Sequence, residues 1–244
     1  MVTTSKWPKI LPPLTAEQRR ISDAFMKLWH EVMPAGFGLM ERFNHSFPAH
    51  RSKAGFVTTL DVGAGLGAHL RHEQLTPEQE KGYHCLEVRE DMAQEIRRSF
   101  PNVQILTGDC QKRLPFPDGY FDRVVEIHVL EHLPDLPKAL AKIHRVMNKE
   151  RGQLLIGIRA EDSMAYKFSR RISAERLYKN HFGGDYSWFY KREHINLPAE
   201  IEEELGRCFV LKKRSWFPFF SIPRLFCNLY LGLSLVPEVA PVVL

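Results

Sequence analysis

Three acidic residues and one run of glycines carry the chemistry that reads first from this 244-residue chain. The run is Asp61-Val-Gly63-Ala64-Gly65-Leu-Gly67, and it follows the apolar stretch Phe56-Val-Thr-Thr-Leu60. Glycine turns the backbone sharply and lets a ligand approach where a Cβ would clash. Alone the loop is ambiguous, because Gly63-x-Gly65-x-x-Ala68 also matches a dinucleotide fingerprint that sets a pyrophosphate on a helix N-terminus. The acids shift the balance. Asp61 stands just before the glycines, where a carboxylate suits a sulfonium or amino group better than a pyrophosphate. Glu87 lies 20 residues beyond Gly67 and can accept both hydroxyls of a ribose. Asp109 follows a third strand and can accept from an adenine amino group, with Met92 and Cys110 as apolar neighbours of the ring.

These groups need a scaffold that gathers strand ends. From residue 56 the pattern alternates strand and helix, the signature of a parallel sheet with helices on both faces. Strands are expected at 56–60, 82–88, 103–107, 122–128 and 152–158, with helices at 92–100 and 136–147. A helix is also expected directly after the glycine loop. Two further strands, 209–216 and about 228–235, are expected as an antiparallel pair at the sheet edge. Ahead of this core, Thr15-Ala-Glu-Gln18 reads as a capping box, and apolar residues at helical spacing predict a helix over 16–33 that ends at Pro34 and Gly36. Residues 160–207 break the alternation with a basic helical stretch, the aromatics Tyr186, Trp188, Phe189 and Tyr190, and a helix at 198–206.

The set Asp-x-Gly-x-Gly-x-Gly, Glu87 five before Met92, Gly108-Asp109, Leu114-Pro-Phe-Pro-Asp-Gly-Tyr-Phe-Asp122 and Glu131-His132-Leu133 resembles class I S-adenosylmethionine-dependent methyltransferases. The similarity is closest to the branch containing the ubiquinone and menaquinone methyltransferases, over roughly residues 56–158. It implies an α/β fold: a Rossmann-like, doubly wound seven-stranded sheet with an antiparallel last strand. An N-terminal helical cap (1–55) would precede the methyltransferase domain (56–244), with a substrate-covering insertion at 160–207. It implies S-adenosyl-L-methionine as cofactor, touching Gly63, Gly65 and Gly67, with Glu87 on the ribose and Asp109 on the adenine. Ala64, Val88, Ile127 and His128 are expected beside it.

Methyl transfer to a hydroxyl also needs a group to remove a proton. His128 and His132 follow the fourth strand, where ligands gather in such sheets, and His194 sits in the insertion. All three are candidate bases. Within the resembling family a histidine in Glu-His-Leu occurs whatever the substrate, which argues against a dedicated base there. Tyr186, Trp188 and Tyr190 either bind a polar ring such as a sugar or pack a cap. No Asn/Asp-Pro-Pro-Tyr/Phe or Pro-Cys motif follows the fourth strand, which disfavours adenine or glutamine amino groups and cytosine C5 as targets. No metal cluster is expected. The acceptor is expected to be a small molecule or a lipid- or saccharide-linked group.

Composition adds limits. An apolar share of 44% and a charged share of 26% describe an ordinary globular protein. The N-terminal residues lack a signal-peptide pattern, and the four cysteines form no Cys-x-x-Cys pair, so a reduced cytoplasmic setting is expected. Residues 151–224 hold fourteen Lys/Arg against nine Asp/Glu, which accounts for the whole net charge of +5. That excess suits an anionic acceptor or an acidic membrane surface, while Lys212-Lys213-Arg214 alone is too short a run for nucleic acid. The apolar segment Trp216-Phe-Pro-Phe-Phe220, continuing to Phe226, is either a peripheral membrane contact or a buried crossover. Two other functions share the glycine loop: a nucleotide-dependent oxidoreductase or epimerase, and a scaffold that binds cofactor without catalysis. The first should show Tyr-x-x-x-Lys after the fourth or fifth strand, which is missing, and the second should have lost the loop glycines, which are present.

Overall fold

In the computed structural model, residues 6–218 and 229–238 are described. Their strands are β1 (Thr59–Val62), β2 (Tyr83–Glu87), β3 (Gln104–Thr107), β4 (Arg123–Ile127), β5 (Gln153–Arg159), β6 (Phe209–Phe217) and β7 (Tyr230–Pro237). They form one sheet in the order β3-β2-β1-β4-β5-β7-β6. β1 to β5 run parallel, and β7 lies antiparallel between β5 and β6. This is the expected Rossmann-like sheet with its last strand reversed. The central strands are buried except at the last residues of β4 and β5, as in a sheet covered on both faces.

The helices that flank it are α1 (Ala16–Arg51), α2 (Pro77–Lys81), α3 (Glu90–Ser99), α4 (Leu136–Val146), α5 (Met164–Ile172), α6 (Ala174–Phe182), α7 (Ser187–Glu193) and α8 (Pro198–Leu205). α4 shows why the periodicity was readable. Leu136, Ala139, Leu140, Ile143 and Val146 recur at helical spacing and all lie in the main core.

Two expectations need correction. α1 starts on the predicted capping box, with Thr15 Oγ1 accepting from the Gln18 amide at 3.1 Å, but it does not stop at Pro34. It runs through Pro34 and Gly36 to Arg51. An interior proline costs a helix about 3 kcal/mol, so packing must offset it. The second half of α1 lies on β5 and β7, burying Asn44 and Phe47, and Phe43 stacks on Phe217 at 4.7 Å. The second correction concerns the helix expected after the glycine loop. A single 3-10 turn, His69–His72, stands there instead, and α1 packs against it.

The first half of α1 joins the insertion. Phe25 sits among Tyr178, Tyr186 and Phe189, with ring centroids 5.3, 5.9 and 5.0 Å away. Five buried residues, Phe25, Ala174, Tyr178, Tyr186 and Phe189, form this separate aromatic core. Residues far apart in sequence thereby build one roof above the C-terminal ends of β1 and β4. No helix among the described residues is long and apolar enough to cross a membrane. The segment 219–228, which holds most of the apolar run beginning at Trp216, lies outside the described residues. Trp216 itself is buried in the main core.

Candidate active site

Strand order reverses between β1 and β4, the place where open α/β sheets bind ligands beyond their carboxyl ends. A cavity of about 450 Å³ opens there. Asp61, Gly63, Ala64, Gly65, Met92, Ile127 and His128 form its floor, while Phe25, Trp29, Tyr166, Tyr186 and Phe189 close it from above. His132 and His194 stand on its wall.

The loop geometry requires glycine for two different reasons. Gly63 has φ +68°, and a Cβ there would lie 2.4 Å from Val129 Cγ2. Gly65 has φ +59°, yet a Cβ would meet nothing within 4 Å. Gly63 is therefore demanded by packing, whereas Gly65 presents bare backbone to open space. Glu87 holds this loop in place, accepting from the Gly65 amide at 2.8 Å and from the Arg89 amide at 2.9 Å.

Asp61 is 1% exposed and has no Lys or Arg within ion-pair distance among the described residues. Its near neighbours are His69, at 3.4 Å, and the Cys85 thiol. Burial drives the Asp61 carboxyl well above the usual carboxylate range and His69 well below the usual imidazole range. A buried carboxyl that lines a cavity without a Lys or Arg in ion-pair contact suits a ligand bearing a positive charge.

The histidines differ in what their ring nitrogens do. His128 has φ +59°, its Nε2 lies 2.9 Å from Asn44 Nδ2, and its Nδ1 lies 3.3 Å from Glu131 Oε1. Both nitrogens are engaged. His132 Nδ1 is hydrogen-bonded to the backbone carbonyl of Glu193, so that nitrogen carries the proton. Its Nε2 has no hydrogen-bond partner among the described residues and carries a free lone pair. Burial pulls the His132 imidazole down to about 4, keeping it neutral near pH 7. His194 Nδ1 is 2.5 Å from Glu161 Oε1, and its ring is 5.1 Å from that of His132.

Other sequence-predicted residues sit outside the cavity wall. Gly67 packs under Phe100, Val88 is 67% exposed, and Cys110 is buried in the main core, where burial pushes its thiol up. Glu87 braces the loop from behind. Asp109 Oδ1 takes the Gln111 amide at 2.8 Å. The aromatics of the insertion divide: Tyr186 and Phe189 line the cavity, while Trp188 Nε1 donates to Tyr178 and Tyr190 donates to Glu161 at 2.7 Å. Sequence reasoning missed Asn44, Arg159, Glu161 and Tyr166. Glu161 was the most findable, since it lies just past β5 on the ligand side of the sheet.

Residues 60–156 match the family model described as a methyltransferase domain. Those residues form a methyltransferase domain. S-adenosylmethionine is its cofactor, and the bare backbone at Gly65 together with the buried Asp61 carboxyl suits that molecule's cationic end. Ajmaline N-methyltransferase of Rauvolfia serpentina is 27% identical over 169 residues, 64% of this chain and 54% of that protein. The mitochondrial arginine-hydroxylase NDUFAF5 of Rattus norvegicus is 33% identical over 96 residues, 39% of this chain and 27% of that protein. The methyltransferase chain thus spans about half and about a quarter of these two curated relatives. Among solved structures, a methyltransferase of Archaeoglobus fulgidus superposes with TM-score 0.61 at 18% identity, covering 87% of this chain and 99% of that one. One from Thermotoga maritima gives TM-score 0.60 at 19% identity, covering 90% and 99%. These likenesses concern the fold.

Proposed function

We propose that this chain methylates a hydroxyl oxygen of a small-molecule or lipid-linked acceptor held beneath the roof of α1, α5 and α7. The observation that carries the reading is His132: a neutral imidazole on the cavity wall with Nε2 free and its tautomer set by the Glu193 carbonyl. S-adenosylmethionine, when bound, supplies the electrophilic methyl group. The protein must then align the acceptor in line, exclude water and take one proton. Asp61 faces the cationic end, Glu87 holds the Gly65 loop against the cofactor by accepting from the Gly65 amide, and the aromatic roof keeps water out. His132 Nε2 takes the acceptor's proton. His128 orients Glu131 and the strand end, its ring nitrogens being occupied by Asn44 and Glu131.

An amine acceptor is the second reading. It is favoured by the carboxylates Glu41 and Glu193 on the cavity wall, and it agrees with the name of the N-methyltransferase relative. An anionic acceptor draws less support, because most of the basic excess lies on the outside of the insertion. The test is incubation with ¹³C-methyl-labelled S-adenosylmethionine and fractionated extracts, followed by carbon NMR of the product. An ether carbon supports the hydroxyl reading, an amine carbon the second, and label that never leaves the cofactor refutes both.

A further inference from the structure

The basic surplus of residues 151–224 is concentrated where the cavity does not use it. The α5–α6 hairpin, residues 163–182, holds Lys167, Arg170, Arg171, Arg176 and Lys179 against one carboxylate, Glu175. Glu175 is already paired with Lys179 at 2.7 Å. Arg170 turns inward and stacks over Tyr190 at 4.0 Å. Lys167, Arg171, Arg176 and Lys179 are all exposed.

Beside these cations runs an apolar stripe. Met164, Phe168 and Ile172 recur every four residues along α5 and are 56%, 64% and 54% exposed. At 100° per residue they occupy one side of the helix, with Lys167 and Arg171 on its flank. Tyr166, Ser169, Arg170 and Ser173, which line the cavity, point the opposite way. One face of α5 therefore roofs the active site while the other offers three large apolar side chains to solvent. Between α5 and α6 a surface hollow of about 410 Å³ is lined by Phe168 and Ile172, by Arg171 and Arg176, and by the Glu175–Lys179 pair. A single exposed apolar residue needs no explanation, but an ordered stripe rimmed by cations does.

We infer that the outer face of the α5–α6 hairpin is a docking surface for an anionic lipid bilayer, which places the active-site roof at the membrane. The apolar stripe inserts at the level where headgroups meet acyl chains, and the cations pair with lipid phosphates. Charge complementarity selects this occupant, since an apolar protein partner would leave Lys167, Arg171 and Arg176 without counter-charges. The inference concerns a surface and holds whichever atom is methylated.

Flotation with the intact chain tests it. Vesicles of phosphatidylcholine and phosphatidylglycerol in equal parts are compared with pure phosphatidylcholine, at about 0.1 M salt where screening acts over about 10 Å. The wild type should float with the mixed vesicles and stay behind with the neutral ones. Phe168→Ser with Ile172→Ser, and separately Arg171→Glu with Arg176→Glu, should each lower partitioning at least about tenfold. Both pairs are exposed, so S-adenosylmethionine affinity should be unchanged and reports that the variants are folded. Lys212→Glu with Lys213→Glu, on the exposed part of β6, changes net charge equally and should leave flotation intact. The inference is overturned if the wild type does not float, if it floats equally with neutral vesicles, or if the hairpin variants float like wild type. It is also overturned if the β6 variant loses as much as the charge-reversed hairpin. Retention on an immobilised acidic peptide without flotation would assign the face to a protein partner instead.

Discussion

His132 gives its Nδ1 proton to the backbone carbonyl of Glu193, and that bond leaves Nε2 as the basic nitrogen on the cavity wall. His128, four residues earlier, has Asn44 on one ring nitrogen and Glu131 on the other. Two histidines that look equivalent in sequence are thereby separated into a proton acceptor and a positioning group.

Replacing His132 by Gln should lower kcat by about 10²- to 10⁴-fold, the usual contribution of a positioned base, with cofactor affinity unchanged. Its imidazole lies at about 4, so the basic form dominates at every pH above that. The wild-type kcat/KM profile should therefore show no break near 6.5 and fall only as pH approaches 4. A His132→Gln variant with wild-type kcat would remove it as the base.

Asp61 leads to a calorimetric prediction. Burial raises its carboxyl well above the usual range, so the free protein takes up a proton there at higher pH than an ordinary carboxyl does. A cationic ligand favours the carboxylate, and binding should expel that proton. S-adenosylmethionine affinity should then rise with pH, and the binding enthalpy should vary with the ionisation enthalpy of the buffer. An enthalpy independent of buffer would contradict this role for Asp61.

Glu126 is fully buried, neither of its carboxylate oxygens has a partner among the described residues, and burial pushes its carboxyl up to about 8. The unfolded chain loses this proton above about 4.5 while the folded chain keeps it to about 8, so wild-type stability declines as pH rises between them. Glu126→Gln removes the titration. The variant should be more stable than wild type at pH 8 by on the order of 2 kcal/mol and similar to it near pH 5. Denaturant melts at both pH values give the answer, and a parallel loss at each would show that the carboxyl is structurally required.

Phe25→Ala should cost about 3 kcal/mol or more, because its ring joins α1 to α6 and α7 through three edge-on contacts. If the roof shields the site, acceptor KM should rise more than cofactor Kd. An equal rise in both would mean that the roof also forms part of the cofactor site.

Much of this was readable from sequence, for physical reasons. Strands buried on both faces appear as unbroken apolar runs such as Leu154–Ile158, and α4 shows its core stripe directly. The glycine loop was legible because φ near +60° leaves little choice of residue. The passage of α1 through Pro34 was not, since it depends on Phe43 and Phe47 finding partners on the sheet. Asn44 and His128 are 84 positions apart, and Glu161 and Tyr190 are 29 apart. No local pattern announces such pairs, which form only when the roof closes over the sheet.

The cofactor is expected to seat against Gly65, so titration calorimetry on wild type and Gly65→Arg tests the site most directly. A Cβ at Gly65 meets open space, so the arginine side chain clashes with no packed neighbour and fills the cofactor's place. The φ of +59° adds backbone strain, which a Gly65→Ala control measures by itself. S-adenosylmethionine should bind the wild type at micromolar concentration, NAD should not bind, and Gly65→Arg should bind neither. Unchanged S-adenosylmethionine binding by Gly65→Arg, or NAD binding in its place by the wild type, would contradict the account.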